Sequence, residues 1–194
     1  ISGSEIFLEY DEDILNNIFI PKNAKATRPT NGNREWFEVV DKDTTVFSDS
    51  ASFVDDMTGS TLHGLFVDGF LDSLRLEGMA TTIYHLFEDS VYQGKNLVSG
   101  DTISMKFNDQ DLDYIFVNGG SRGTYTPDST NAEVDGPVTY SSEDIEYDIL
   151  NENMNLHGEA DINYTNVNLS AGFINMEWNN NLLRAIPQSK KDST

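Results

Sequence analysis

The chain has 194 residues and no cysteine, and 12 basic residues stand against 33 acidic ones for a formal net charge of −21. That length allows one domain with a sizeable core. The charge argues against nucleic-acid binding, which needs clustered Lys and Arg on phosphates, and the lack of thiols excludes disulfides, thiolate metal sites and a cysteine nucleophile.

Residues 1–18 read ISGSEIFLEYDEDILNNI. Ile6, Leu8 and Tyr10 alternate with polar residues, the period of a strand with one buried face. Asp11-Glu12-Asp13 favours a turn, and Leu15 and Ile18 follow it, so the segment predicts a β-hairpin. Residues 21–35, with Pro21, Pro29 and Asn31-Gly32-Asn33, read as a loop. Residues 50–53 and 57–64 predict strand, turn and strand. Residues 65–76 carry the one apolar spacing compatible with a helix, weakened by Gly64 and Gly69.

Leu76-x-Gly78-x-Ala80-x-Thr82-x-Tyr84 reads as a strand whose internal glycine marks a kink or a close backbone approach. Residues 98–115, VSGDTISMKFNDQDLDYI, repeat the opening hairpin with Ile103, Met105, Phe107 and Ile115 in place. Pro127–Pro137 reads as an insertion. Ile145-x-Tyr147 and Met154-x-Leu156 form another strand, turn and strand. Leu156-x-Gly158-x-Ala160-x-Ile162-x-Tyr164 then echoes the segment at Leu76. Residues 169–186 give the third hairpin, with Ile174, Met176, Trp178, Leu183 and Ile186. The expected organisation is one domain over 1–187 and a polar, frayed tail over 188–194.

The three hairpins align without a gap at Ile6/Ile103/Ile174, Leu8/Met105/Met176, Tyr10/Phe107/Trp178 and Ile18/Ile115/Ile186. A recurring supersecondary unit cannot bury its apolar face alone, so the copies must stack. The predicted fold is all-β and antiparallel, with about a dozen or more short strands. The chain opens inside a repeat, at Ile1-Ser2-Gly3, and reads as a mature or excised piece of a longer precursor.

Catalytic motifs are weak. Gly119-Gly120-Ser121-Arg122-Gly123 matches G-x-S-x-G, but an extended Thr124-Tyr125-Thr126-Pro127 follows where a hydrolase needs a helix. His63 and His157 occupy equivalent repeat positions and are expected on the surface. Asp109-x-Asp111-x-Asp113 lacks the glycine and final glutamate of a calcium loop. The pairs Asp55-Asp56 and Glu143-Asp144 are expected in polar turns without an apolar pocket to separate their pKa values. No active site, metal site or cofactor is expected.

The order L-x-G-x-A, then S-G-D or S-A-G, then hairpin and L-x-x-I occurs at Leu76–Val117 and Glu143–Ile186, with a partial copy at Ile1–Thr27. It resembles the OstA-like family, the lipopolysaccharide-transport proteins of the LptA and LptC kind and the periplasmic domain of LptD. The resemblance implies an elongated, twisted antiparallel β-jellyroll whose two sheets enclose an apolar groove for acyl chains. It further implies a non-enzymatic role carrying lipopolysaccharide or a related lipid, in the periplasm of a Gram-negative bacterium, with outer-membrane association as an option. End-to-end strand addition would join the module to other OstA-like domains or to copies of itself in a head-to-tail oligomer. Carried over by alignment, the groove set is Ile6, Leu8, Tyr10, Ile18, Ile103, Met105, Phe107, Ile115, Leu156, Ile162, Ile174, Met176, Trp178 and Leu183. The same side chains can equally fill a dry core, each contributing about 1.5–3 kcal/mol on burial. The acidic surface departs from a chemistry suited to an anionic headgroup and leaves the lipid open. The alternative is an acidic extracellular β-module for adhesion or glycan binding that uses calcium at its Asp-rich turns.

Overall fold

The computed structural model describes residues 1–40, 43–109, 111–129, 136–180 and 182–187. The tail read at 188–194 and most of the Pro127–Pro137 connection lie outside them. Among the described residues twelve strands run in chain order: β1 Phe7–Asp11, β2 Ile14–Ile20, β3 Ala24–Val40, β4 Asp43–Gly59, β5 Thr61–Val67, β6 Phe70–Glu88, β7 Val91–Asn108, β8 Asp111–Pro127, β9 Val138–Asp148, β10 Asn153–Tyr164, β11 Val167–Glu177 and β12 Leu182–Ile186. All belong to one sheet with β1 and β12 as its end strands. Every pairing is antiparallel except a single parallel bridge, Asn33 to Val91. The fold is an all-β twisted jellyroll.

Tight turns set the hairpins. Glu12 and Asp13, Asp68 and Gly69, and Asp89 and Ser90 all have positive φ, the backbone that two-residue hairpin loops demand and that Asp and Gly adopt at low strain. Register then aligns the repeats across the sheet. Ile20, Leu62, Leu76, Ile103, Val117, Ile145, Leu156 and Ile174 are successive cross-strand partners from β2 to β11. A second row joins Leu8, Ile18, Gly64, Leu74, Met105, Ile115, Tyr147, Met154, Met176 and Leu183. The equivalent repeat positions Leu8, Met105 and Met176 therefore share one row, and Ile103 and Ile174 the other.

Register breaks at one line across the long strands: between Glu77 and Ala80, Ser99 and Thr102, Asn118 and Ser121, and His157 and Ala160. Gly119 and Gly158 sit on that line with φ of +83° and +73°. A Cβ on either would run into Asp101 or Glu143 of the neighbouring strand. Bulges bend a strand and strengthen its twist. A row of them folds the sheet onto itself.

The outcome is two facing layers cut from one sheet, where the resemblance implied two sheets. The strands pass through the corner and continue, which also makes them longer than expected, up to the 19 residues of β6. Tyr84 of one layer meets Tyr147 of the other with ring centroids 6.1 Å apart. The layer holding both rows is almost wholly apolar inside, and Leu76, Ile103, Leu156 and Ile174 are fully buried. The facing layer buries smaller and more polar side chains, among them Ala24, Ala26, Ala80, Thr82, Asn96 and Ser121. Across it, Tyr140 Oη donates to Asn96 Oδ1 at 2.7 Å and Asn96 Nδ2 donates to Tyr84 Oη at 3.0 Å.

Three local expectations are corrected. Residues 21–35 are not a loop: β3 begins at Ala24 and pairs with β4 throughout. Pro29 is tolerated because the other edge of β3 is bridged, among the described residues, at Lys25 and Asn33 and not at Pro29, so no ladder bond needs its missing N–H. Residues 50–64 hold no turn at 54–56; β4 runs to Gly59, and the break comes before Thr61. The apolar spacing over 65–76 belongs to a hairpin, β5 turning at Asp68-Gly69 into β6.

Candidate functional site

A cavity of about 790 Å³ opens between the two layers at one rim. Phe66, Phe70, Leu71, Phe107, Leu112 and Ile149, with the carboxylate Asp111 beside Leu112, form one mostly apolar wall, contributed by the hairpin ends of one layer. The opposite wall is Arg28, Pro29 and Thr30 of β3 with Tyr84, His85, Leu86 and Phe87 of β6.

The course of the β3–β4 hairpin shapes this wall. β4 pairs with β6 only over Asp56–Thr58. The hairpin then leaves the ladder and crosses the β6–β7 turn, where the Asn33 backbone N–H donates to Ser90 O at 2.7 Å. At the parting point the Asp55 carboxylate replaces the lost ladder partner by accepting the His85 backbone N–H at 2.9 Å. Asp55 is only 1% exposed and is held further by His85 Nδ1 at 2.9 Å and by Arg28 Nε and Nη2 at 3.0 and 2.7 Å. A buried carboxylate persists only with such partners. The Arg28 guanidinium also lies 5.7 Å from the centre of the Phe107 ring, tying the two walls together. This overturns the expectation that Asp55-Asp56 sits in a polar turn. A carboxylate in mid-strand is buried because its registered partner on β3 is Arg28.

The structure distributes the predicted groove residues over three places. Ile18, Ile103, Met105, Ile115, Leu156, Ile162 and Ile174 are buried in the packed seam, with Met176 half-buried against them. Phe107 is the one member of the set that lines the cavity. Ile6, Leu8 and Tyr10 at β1, and Trp178 and Leu183 at the β12 end, lie 43–56% exposed. Leu8 pairs with Ile18 and Leu183 with Met176, so the inner face runs on past its cover at both ends. Trp178 is not on a strand; β11 stops at Glu177 and a 3-10 turn follows.

Ser121 of the G-x-S-x-G match lies inside the β8 bulge, fully buried, and donates to Glu143 O at 3.0 Å. A hydrolase elbow would present that hydroxyl at a strand–helix turn. His63 is exposed and stacks on Phe19, whereas His157 is half-buried beside Phe173. Among the described residues no three His, Cys, Asp or Glu side chains are grouped to hold a metal ion. Beyond the rim the β3–β4 hairpin projects as an arm, with Trp36 stacked on Phe47 at 5.8 Å and both rings more than a third exposed.

This arrangement of strands has a counterpart among solved structures. The crystal structure of LptH from Pseudomonas aeruginosa, described as the LptA-homologous periplasmic component of the lipopolysaccharide transport device, superposes with a TM-score of 0.52. The fold is of the LptA type. The match covers 72% of this chain and 87% of that one at 13% identity. No protein-family model and no curated protein matches the sequence. In this LptA-type fold the cavity sits between the layers at the rim, and the open strands β1 and β12 sit at the two ends.

Proposed function

We propose that the chain is a non-enzymatic lipid-binding module of the periplasm. It shelters acyl chains of lipopolysaccharide or a related lipid between its layers and joins neighbouring OstA-like domains through its end strands. The cavity of about 790 Å³ carries this reading. It falls within the ~300–1,000 Å³ of ordinary ligand sites and combines apolar lining with a few placed polar groups. The fold shared with a periplasmic lipopolysaccharide-transport component supports it, and so does a sheet whose two end strands are open to strand addition. Those ends differ in charge. Glu5, Glu9 and Asp11 flank or lie on β1, whereas Arg184 lies on β12, which favours joining one copy's β1 to another's β12. No helix among the described residues is long and apolar enough to cross a membrane.

The test is titration with an environment-sensitive acyl probe, 11-(dansylamino)undecanoic acid. Saturable, blue-shifted fluorescence that Leu112→Trp abolishes is the expected result. An unchanged emission spectrum at any protein concentration overturns the reading. The exposed Trp36 and Phe47 on the arm favour a second reading, an adhesion or glycan-binding module. That reading requires calcium to raise the melting temperature.

A further inference from the structure

β4 has one open edge. It pairs with β3 in unbroken register from Gly59 to Asp43, whereas among the described residues its other side meets β6 only over Asp56–Thr58. Residues 44–50 are exposed throughout. Edges of this kind are ordinarily blunted by charge, proline or a bulge. Residues 44–54, TTVFSDSASFV, contain no proline and no register break, and Asp49 is their one charge. The outer edge of β3, by contrast, carries Pro29, Arg34, Glu35 and Glu38. In a chain with a net charge of −21, so sparsely charged a free edge is suited to strand addition.

The residues of that edge specify the partner. Residues 46–54 read VFSDSASFV, a palindrome about Ser50 except at Asp49 and Ala51. Two antiparallel copies related by a two-fold axis at Ser50 place Val46 opposite Val54, Phe47 opposite Phe53 and Ser48 opposite Ser52. Directly opposite side chains are the ones that interact in an antiparallel pair, so the edge is complementary to itself. The one mismatch favours pairing, since each Asp49 faces Ala51 of the other copy instead of a second carboxylate. Phe47 and Phe53 share one face of the strand, and Val46 and Val54, 53% and 54% exposed, share the other. The root of the arm is already fixed: Phe53 stacks on Tyr92 at 4.4 Å, and Arg34 lies over both rings and 3.6 Å from Asp128. A strand held in place before its partner arrives costs little further ordering.

We propose that β4 is a self-pairing edge, to which a second copy of this chain adds antiparallel across residues 46–54 about a two-fold axis at Ser50. The same patch serves both copies, so the contact closes at a dimer. It continues the sheet where β6 leaves the ladder, and it gives the exposed Val46 and Phe47 apolar neighbours from the other copy. The contact is separate from end-to-end joining at β1 and β12 and does not depend on lipid binding.

Disulfide trapping on the full chain, which has no cysteine of its own, tests the register. At the axis Ser50 faces its own copy with Cα atoms about 4.5–5.5 Å apart. Ser48, equally exposed, lies roughly 14 Å along the strand from its copy. Ser50→Cys is thus within disulfide reach and should form a covalent dimer under mild oxidation about tenfold faster than Ser48→Cys. In the Ser50→Cys chain, Ala51→Asp should slow trapping several-fold by setting carboxylates opposite each other, and Ala51→Lys should speed it. General loosening of the fold cannot produce that reversal of sign. Sedimentation equilibrium of the unmodified chain should show reversible dimer formation. A monomer at every concentration, equal trapping of the two cysteine variants, or trapping indifferent to the charge at residue 51 overturns the inference and leaves the lipid-binding reading standing.

Discussion

Asp55 shows how one side chain can hold a wall in place. It is buried, and it bonds Arg28, the His85 ring and the His85 backbone N–H. Asp55→Ala strands the Arg28 guanidinium and an amide hydrogen together. It should lower unfolding free energy by about 3–5 kcal/mol in urea melts, with the cavity wall disturbed first. Tyr84, Tyr140 and Tyr147 give a second residue-scale expectation. Burial pushes all three phenols well above their ordinary value of 10.0, because the phenolate cannot be solvated between the layers. The unfolded chain loses these protons near pH 10, while the folded one keeps them. Their stabilisation is therefore complete below pH 10 and is lost as pH climbs through the raised folded values. Phenolate absorbance should show these three titrating together with unfolding. Tyr140 was not singled out in sequence, whereas Tyr84 and Tyr147 were readable as members of alternating strands. Asp55 was not, because its burial depends on a partner 27 residues upstream.

At the scale of elements, the corner is the decisive feature. Gly158 combines a φ of +73° with the Glu143 carboxylate packed where a Cβ would go. Gly158→Val forces a β-branched residue into left-handed backbone and pushes Glu143 aside, so a loss of roughly 2 kcal/mol or more is expected in the same melts. Glycine within Leu76–Tyr84 and Leu156–Tyr164 signalled this kink, and alternation with Asp-rich turns signalled the hairpins, since both are local properties. β3 was illegible. Pro29 and Asn31-Gly32-Asn33 carry turn chemistry, and only pairing with all of β4 holds them extended. The cavity lining was missed for a related reason. Phe66 and Phe70 lie in the 65–76 spacing that reads as a helix, Leu112 occupies the repeat position of Leu15 and Leu183 without signalling a cavity, and the gap between these residues and β6 exists where β3–β4 crosses the rim.

At the scale of the whole molecule, one sheet of 12 strands doubles back along its bulges. The repeated hairpins, aligned by register, put their Ile, Leu and Met side chains in two rows that the second layer covers. Those rows close most of the seam by packing, while the crossing hairpin keeps one end open. Uncovered inner faces at β1 and β12 leave Leu8 and Leu183 available to extend the sheet. In the proposed function a hydrocarbon guest belongs at the rim cavity, away from the tightly filled middle. A crystal structure grown with a terminally brominated dodecanoic acid tests this most directly. Anomalous scattering from bromine should peak among Phe66, Phe107 and Leu112. Bromine found only on the outer faces, with the rim cavity holding water alone, would contradict the account.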